Sequence, residues 1–192
     1  MSIAQKTQSR FSLPDTRRIT DVNTRDFGDD IGRELDSIIR KIYEDFYNLF
    51  DNPSFSVHKN GTNQTAVASG TATKVTFSTE EWDSHSYFAS SKFTPLVGGR
   101  YILTGAVQFT VGVAASLLEL MVYKNGAEYK RVSTVFEGTG QEGASISVQV
   151  DADGIDDYFE LYAKQSTGGD KIIDGTATHT WFQGYKLPIV GK

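Results

Sequence analysis

Cysteine is absent from all 192 residues, so no disulfide, thiolate metal site or cysteine nucleophile is available. The opening Met1-Ser2-Ile3-Ala4-Gln5-Lys6 lacks the apolar core of a signal peptide, and no cleaved leader is expected. No run approaches the roughly 20 apolar residues of a membrane span, so membrane insertion is not expected either. Serine never occupies a Gly-x-Ser-x-Gly elbow. Positive charge is not in excess: the net charge of −5 argues against nucleic acid as the main partner. Methionine occurs only twice, against twelve Phe, nine Tyr and eighteen Gly, a balance that favours strands and turns over a helical bundle.

With 39% hydrophobic and 22% charged residues, the chain can fill a packed core, and its length fits one domain plus an appendage. The charge is uneven. Residues 1–25 carry Lys6, Arg10, Arg17, Arg18 and Arg25 against Asp15 and Asp21, a net +3, which leaves −8 on the remainder. This segment is polar and aperiodic, and Pro14 breaks any helix in it. It reads as an extended arm that either lies on an acidic partner or is simply solvated. Arg10, Phe11, Leu13, Arg17 and Arg18 are its candidate attachment residues, since mixed basic and apolar groups add steering to burial.

A helix is expected over 26–50, with Asp26 as N-cap and Asp29 and Asp30 near the positive end of its dipole. Apolar residues recur at Phe27, Ile31, Leu35, Ile38, Ile42, Phe46 and Leu49, the period of one helix face. Ile39, Tyr43 and Phe50 widen that stripe, and Asp51-Asn52-Pro53 ends it. Such a helix is about 36 Å long at ~1.5 Å per residue. Its apolar face either packs on the rest of the chain or joins two more copies as a short trimeric coiled-coil stalk.

From Ser54 the period changes to two. Tyr101, Leu103, Val107, Phe109 and Val111 share one face opposite Thr104, Gln108 and Thr110. Ile146, Val148 and Val150 alternate with Ser145, Ser147 and Gln149. Leu117–Tyr123 is almost wholly apolar, as suits a strand covered on both faces. Asn60-Gly61 and Asn125-Gly126 are turn pairs. About ten short strands without intervening helices predict a sandwich.

Five pieces of the strand region, in order, resemble the C1q/TNF-like jelly roll over roughly residues 53–187. They are Phe55-Ser56-Val57; Phe93-Thr94-Pro95 with Gly99-Arg100-Tyr101; Val122-Tyr123-Lys124-Asn125-Gly126; Gly154 to Leu161; and Trp181 to Leu187. Ser90-Ser91 stands where that family usually has Thr-Gly. The resemblance implies a ten-stranded jelly roll that assembles as a homotrimer, with Leu118, Leu120 and Tyr185 buried along the threefold axis. Together with the helix residues Ile31, Leu35, Ile38, Ile42, Phe46 and Leu49, these are the candidate trimerisation residues. The family's collagen stalk is absent, and a helix and a basic arm stand in its place. The division expected is therefore 1–25 arm, 26–52 helical stalk and 53–192 jelly roll.

Other candidates are weaker. Gly138-Thr139-Gly140-Gln141-Glu142-Gly143 satisfies a dinucleotide-binding string but precedes strand-like alternation where a helix is required. Asp151, Asp153, Asp156 and Asp157 crowd one turn; some relatives of the fold bind calcium, yet Ile155 stands where a calcium loop needs an oxygen donor. No other metal and no cofactor is expected. His58, His85 and His179 lack metal-ligand spacing, and Asn60-Gly61-Thr62 and Asn63-Gln64-Thr65 read as polar turns. Trp82, His85 and Tyr87 are candidate receptor contacts, by stacking on sugars or gripping a protein.

A trimeric tip, short stalk and thin arm resemble bacteriophage fibre, spike and head-decoration proteins. The expectation is a non-enzymatic virion appendage, made in a host cytoplasm and displayed on the virion surface. Its arm would attach to a capsid or tail protein, and its tip would adhere to a host-surface glycan or protein or stabilise the particle. A secreted C1q-like carbohydrate- or protein-binding module is the alternative, and a tailspike-like glycan-cleaving enzyme is a third reading.

Overall fold

The computed structural model describes residues 24–50, 52–111 and 115–188, with the side chains of 24–27, 45 and 47–50 left undescribed. The arm candidates Arg10, Phe11, Leu13, Arg17 and Arg18, and the side chain of Leu49, lie outside the described set. The chain divides into two compact units, residues 1–47 and 48–192.

In the first unit, helix α1 spans Thr24–Phe50, starting two residues before the expected Asp26 cap. Its outer surface carries an Arg33–Asp30 pair at 2.8 Å, one turn apart. Along the apolar stripe Ile31, Leu35, Ile38, Ile42 and Phe46 are all exposed.

The second unit is a sandwich of two antiparallel sheets. One sheet holds β1 (Ser54–His58), β2 (Gln64–Val67), β4 (Thr79–Asp83), β7 (Gly99–Phe109), β10 (Glu142–Ala152), β12 (Lys171–Ile173) and β13 (Trp181–Lys186), in the order β2-β12-β7-β13-β1-β4 with β10 also on β7. The other holds β3 (Thr73–Lys74), β5 (Phe88–Ala89), β6 (Lys92–Phe93), β8 (Leu117–Lys124), β9 (Ala127–Val135) and β11 (Phe159–Gln165), in the order β5-β6-β11-β8-β9 with β3 also on β11. The last strand is inserted between β1 and β7, a long-range closure of jelly-roll type. The described residues thus hold thirteen strands, not about ten. The surplus is mostly two-residue ladders such as β3, β5 and β6, too short to register as alternation. Acidic β4, TEEWD, also lacked an apolar face to betray it.

Between the sheets the core is aromatic. The Phe55 ring lies 4.3 Å from Phe93, 5.2 Å from Phe88 and 5.1 Å from Phe182, centroid to centroid. Tyr101 is fully buried and donates its hydroxyl to Val97 O at 2.6 Å. Ser90 and Ser91, the departures from Thr-Gly, both take positive φ (54° and 56°). Glycine is the usual choice there, but Ser91 Oγ accepts the Phe77 N–H at 2.9 Å and gives that half-buried donor a partner. The glycine string 138–143 runs directly into β10, with no helix to receive a pyrophosphate.

One expectation needs correction. Strand β8 is indeed covered on both faces, but by this chain alone. Leu118 and Leu120 are 0% exposed and belong to the core between the sheets, so neither has surface left to bury along a threefold axis. The opposite face, with Glu119 and Met121, is covered by an ion-paired layer described next.

Candidate interaction surface

The two outer faces of the sandwich differ in kind. On the β11-β8-β9 face, Glu119 accepts Arg131 Nη1 at 2.7 Å and Lys164 Nζ at 2.8 Å, and Arg131 Nε also reaches Glu128 at 3.3 Å. Lys74 pairs with Glu160 at 2.7 Å, and Tyr123 stacks on Tyr162 at 3.9 Å. Met121, flanked in register by Tyr162 and Arg131, is 1% exposed beneath this layer. Hydrogen bonding by Lys164, aided by Arg131, holds the Glu119 carboxyl below its usual range against the opposing effect of burial. On this face the charges are paired and Met121 is covered, while Leu117 and Val135, opposite each other at one end, stay 43% and 49% exposed.

The three central rows of the β1-β13-β7-β10 face hold no carboxylate, lysine or arginine. Registers align Ser54, Tyr185, Ile102 and Gln149 in one row. Trp82, Ser56, Gln183, Thr104 and Ser147 form the next, and His58, Trp181, Ala106 and Ser145 the third. Charges appear only at its margins, with Arg100 opposite Asp151 at one end and Glu81, hydrogen-bonded to Ser56 Oγ at 2.7 Å, at the β4 edge. Tyr185 and Trp82 are about half exposed, at 48% and 51%. In a chain with 22% charged residues, an uncharged sheet face bearing two exposed aromatics marks a surface adapted to burial.

The structure separates the receptor candidates. Trp82 sits at the border of the uncharged face, across from Ser56. His85 and Tyr87 lie in the following turn, their rings 5.3 Å apart, and Tyr87 is half-buried against the core. Asp83 organises that turn by accepting the backbone N–H of Phe88 (2.6 Å) and of His85 (3.3 Å). Ser84 Oγ lies 2.7 Å from His85 Nδ1 and accepts the Ser54 N–H. The Asp83 carboxylate is thus directed at backbone rather than at the imidazole, which is not the orienting geometry of a catalytic triad. Next to this turn a cleft of about 370 Å³ is lined by Phe77, Glu80, Phe88, Ser90 and Ser91 among others. His58 Nδ1 accepts the Asn60 N–H at 3.0 Å, and His179 Nδ1 lies 3.4 Å from Asp174 Oδ2.

The acidic turn is a clasp. Oxygens of Asp153, Asp156 and Asp157 approach within 4.8 Å of one another, and Asp151 is not among them. Asp153 Oδ1 accepts three backbone N–H groups, from Ile155 (2.8 Å), Asp156 and Asp157 (both 3.2 Å). Asp157 accepts Lys124 Nζ at 2.8 Å and Asn125 Nδ2 at 2.7 Å, tying the loop to the β8–β9 turn. Burial pushes the Asp157 carboxyl up, but these hydrogen bonds outweigh it and hold it below the ordinary range. Lys124 brings one positive charge to this cluster, through Asp157.

No family model and no curated protein matches the chain by sequence. Solved structures do match in shape. Murine APRIL at pH 5.0 aligns over 71% of this chain and 99% of its own, with 9% identity and a TM-score of 0.54. Eiger TNF from S. frugiperda aligns over 73% and 96%, with 10% identity and a TM-score of 0.54. The fold is a TNF/C1q-like jelly roll. The globular domain of zebrafish complement 1qA aligns over 71% of this chain at 13% identity, with a TM-score of 0.49. At such identities the likeness concerns the fold, and the function has to be argued from the surfaces.

The surface missed in the sequence is the outward half of the alternation. Ser145, Ser147 and Gln149 were legible as an uncharged row, as were Thr104 and Gln108, but nothing local says that β10, β7, β13 and β1 lie side by side.

Proposed function

We propose that this chain is a non-enzymatic homotrimeric appendage protein in which the uncharged β1-β13-β7-β10 face packs against two further copies. The contrast between the two outer faces carries this reading. On one, the buried Glu119 and Glu160 are paired with Lys74, Arg131 and Lys164, which stay partly in solvent; the other has no charged side chain in its three central rows around Tyr185, Ile102 and Trp181, and burying that centre costs little ion desolvation.

In its finer form the protein is a virion fibre, spike or decoration protein. The net +3 of residues 1–25, with Phe11 and Leu13 among Arg10, Arg17 and Arg18, suits docking on an acidic capsid or tail surface. The jelly roll then serves host-surface adhesion or particle stabilisation from the virion exterior. Light scattering of the full chain is expected to give about three times the 21.2 kDa chain mass; a monomer at micromolar concentration overturns the trimer. Immunogold labelling of particles with an antibody to residues 54–192 is expected to place gold at regular points on capsid or tail. Gold found only on cells or free in the medium overturns the virion role and favours a secreted binding module with the same fold.

A further inference from the structure

The apolar positions 27, 31, 35, 38, 42, 46 and 49 of α1 are spaced four, four, three, four, four and three, a repeat of eleven residues. A seven-residue repeat through 31, 35, 38 and 42 would instead continue to Gly28 on one side and Asp45 on the other. It would leave Phe27 and Phe46 outside the seam. At about 100° per residue, seven residues fall roughly 20° short of two turns, whereas eleven overshoot three turns by about 20°. The drift is of opposite sign, and so is the supercoil that corrects it.

We propose that three copies of α1 pack in parallel along this eleven-residue stripe, forming a nearly straight stalk with a right-handed rather than left-handed supercoil. The proposal rests on the trimeric reading above and adds its register. The stripe is available: Ile31, Leu35, Ile38 and Ile42 are 43%, 52%, 40% and 59% exposed in the single chain. Copies of this same helix are its occupant because α1 ends at Phe50 and β1 begins at Ser54. Chains joined through their jelly rolls therefore hold three α1 C-termini at a high mutual concentration and at one level. That tether selects parallel, in-register packing, which places each apolar position against its own counterpart.

The absence of cysteine makes single-cysteine cross-linking of the full chain a clean probe. Position 38 lies in the seam of both registers, position 46 only in the eleven-residue seam and position 45 only in the seven-residue one. After mild oxidation, Ile38→Cys and Phe46→Cys are expected to give disulfide dimers. The linked fraction tops out near about two thirds, because each trimer leaves one thiol without a mate. Asp45→Cys is expected to link at least about fivefold less. Strong linkage at 45 with little at 46 overturns the eleven-residue register. No linkage at 38 in a chain that light scattering shows to be trimeric overturns the parallel stalk while leaving the trimer intact. A monomer in light scattering removes the trimer itself, a separate and prior failure.

Discussion

Gly184 shows how one residue sets the closing strand. A Cβ built there would lie 2.5 Å from Leu103 Cδ2 and 2.9 Å from Phe55 Cε1, against side chains of the two strands that flank the inserted β13. Neither neighbour can retreat, since both are fully buried. Gly184→Ala is therefore expected to lower stability by about 1–3 kcal/mol through overpacking, read as a shift in the urea midpoint with unchanged slope. Gly154 acts differently: its φ of 76° lies in the left-handed region and turns the chain into the Asp153–Asp157 clasp.

At the scale of elements, the ion-paired layer over β8 makes the sandwich sensitive to acid. The Glu119, Asp153, Asp157 and Asp174 carboxyls are all held below their ordinary values. A group whose folded pKa is depressed contributes its full stabilisation above the unfolded value of about 4 and loses it as pH falls through the lower folded value. The urea midpoint is therefore expected to hold from pH 7 to about 5 and to drop at pH 3. Glu119→Gln is expected to cost about 1–2 kcal/mol at pH 7 and to flatten the acid drop, the figure being modest because Arg131 and Lys164 are 44% and 31% exposed. The same strand shows what was legible in advance. LLELMVY announces burial on both faces, but no local pattern distinguishes a second copy from a lid of Arg131, Lys164 and Tyr162 recruited from the neighbouring strands. The alternation of β7 and β10 was plain because their inward residues are large and apolar. The uncharged surface became visible only when β13 paired residues 181–186 with 54–58 on one side and 101–106 on the other. The first pairing spans more than a hundred residues of chain and the second 75 to 85, and neither has a local signature.

For the whole molecule, the trimer proposed above turns on the uncharged face. Thr104 lies in its middle row between Gln183 and Ser147. Thr104→Glu would bring three carboxylates into a buried contact, and a cost of about 3 kcal/mol or more corresponds to at least a hundredfold weaker assembly. Sedimentation across a dilution series is expected to show that loss while circular dichroism stays unchanged. The edges of the sandwich extend the same logic to biogenesis. Strand β4 is guarded by Glu80, Glu81 and Asp83, and β9 by Glu128, Lys130 and Arg131. Strand β10 pairs only with β7 among the described residues, and from Gly143 to Val150 it reads GASISVQV, with no charge and no proline. A folded but solitary chain therefore leaves one adhesive border open, and lingering in that state invites aberrant strand addition. Prompt partnering in the cell acts here as a guard on solubility, and recovery of native protein should suffer most where newly made chains are too sparse to meet.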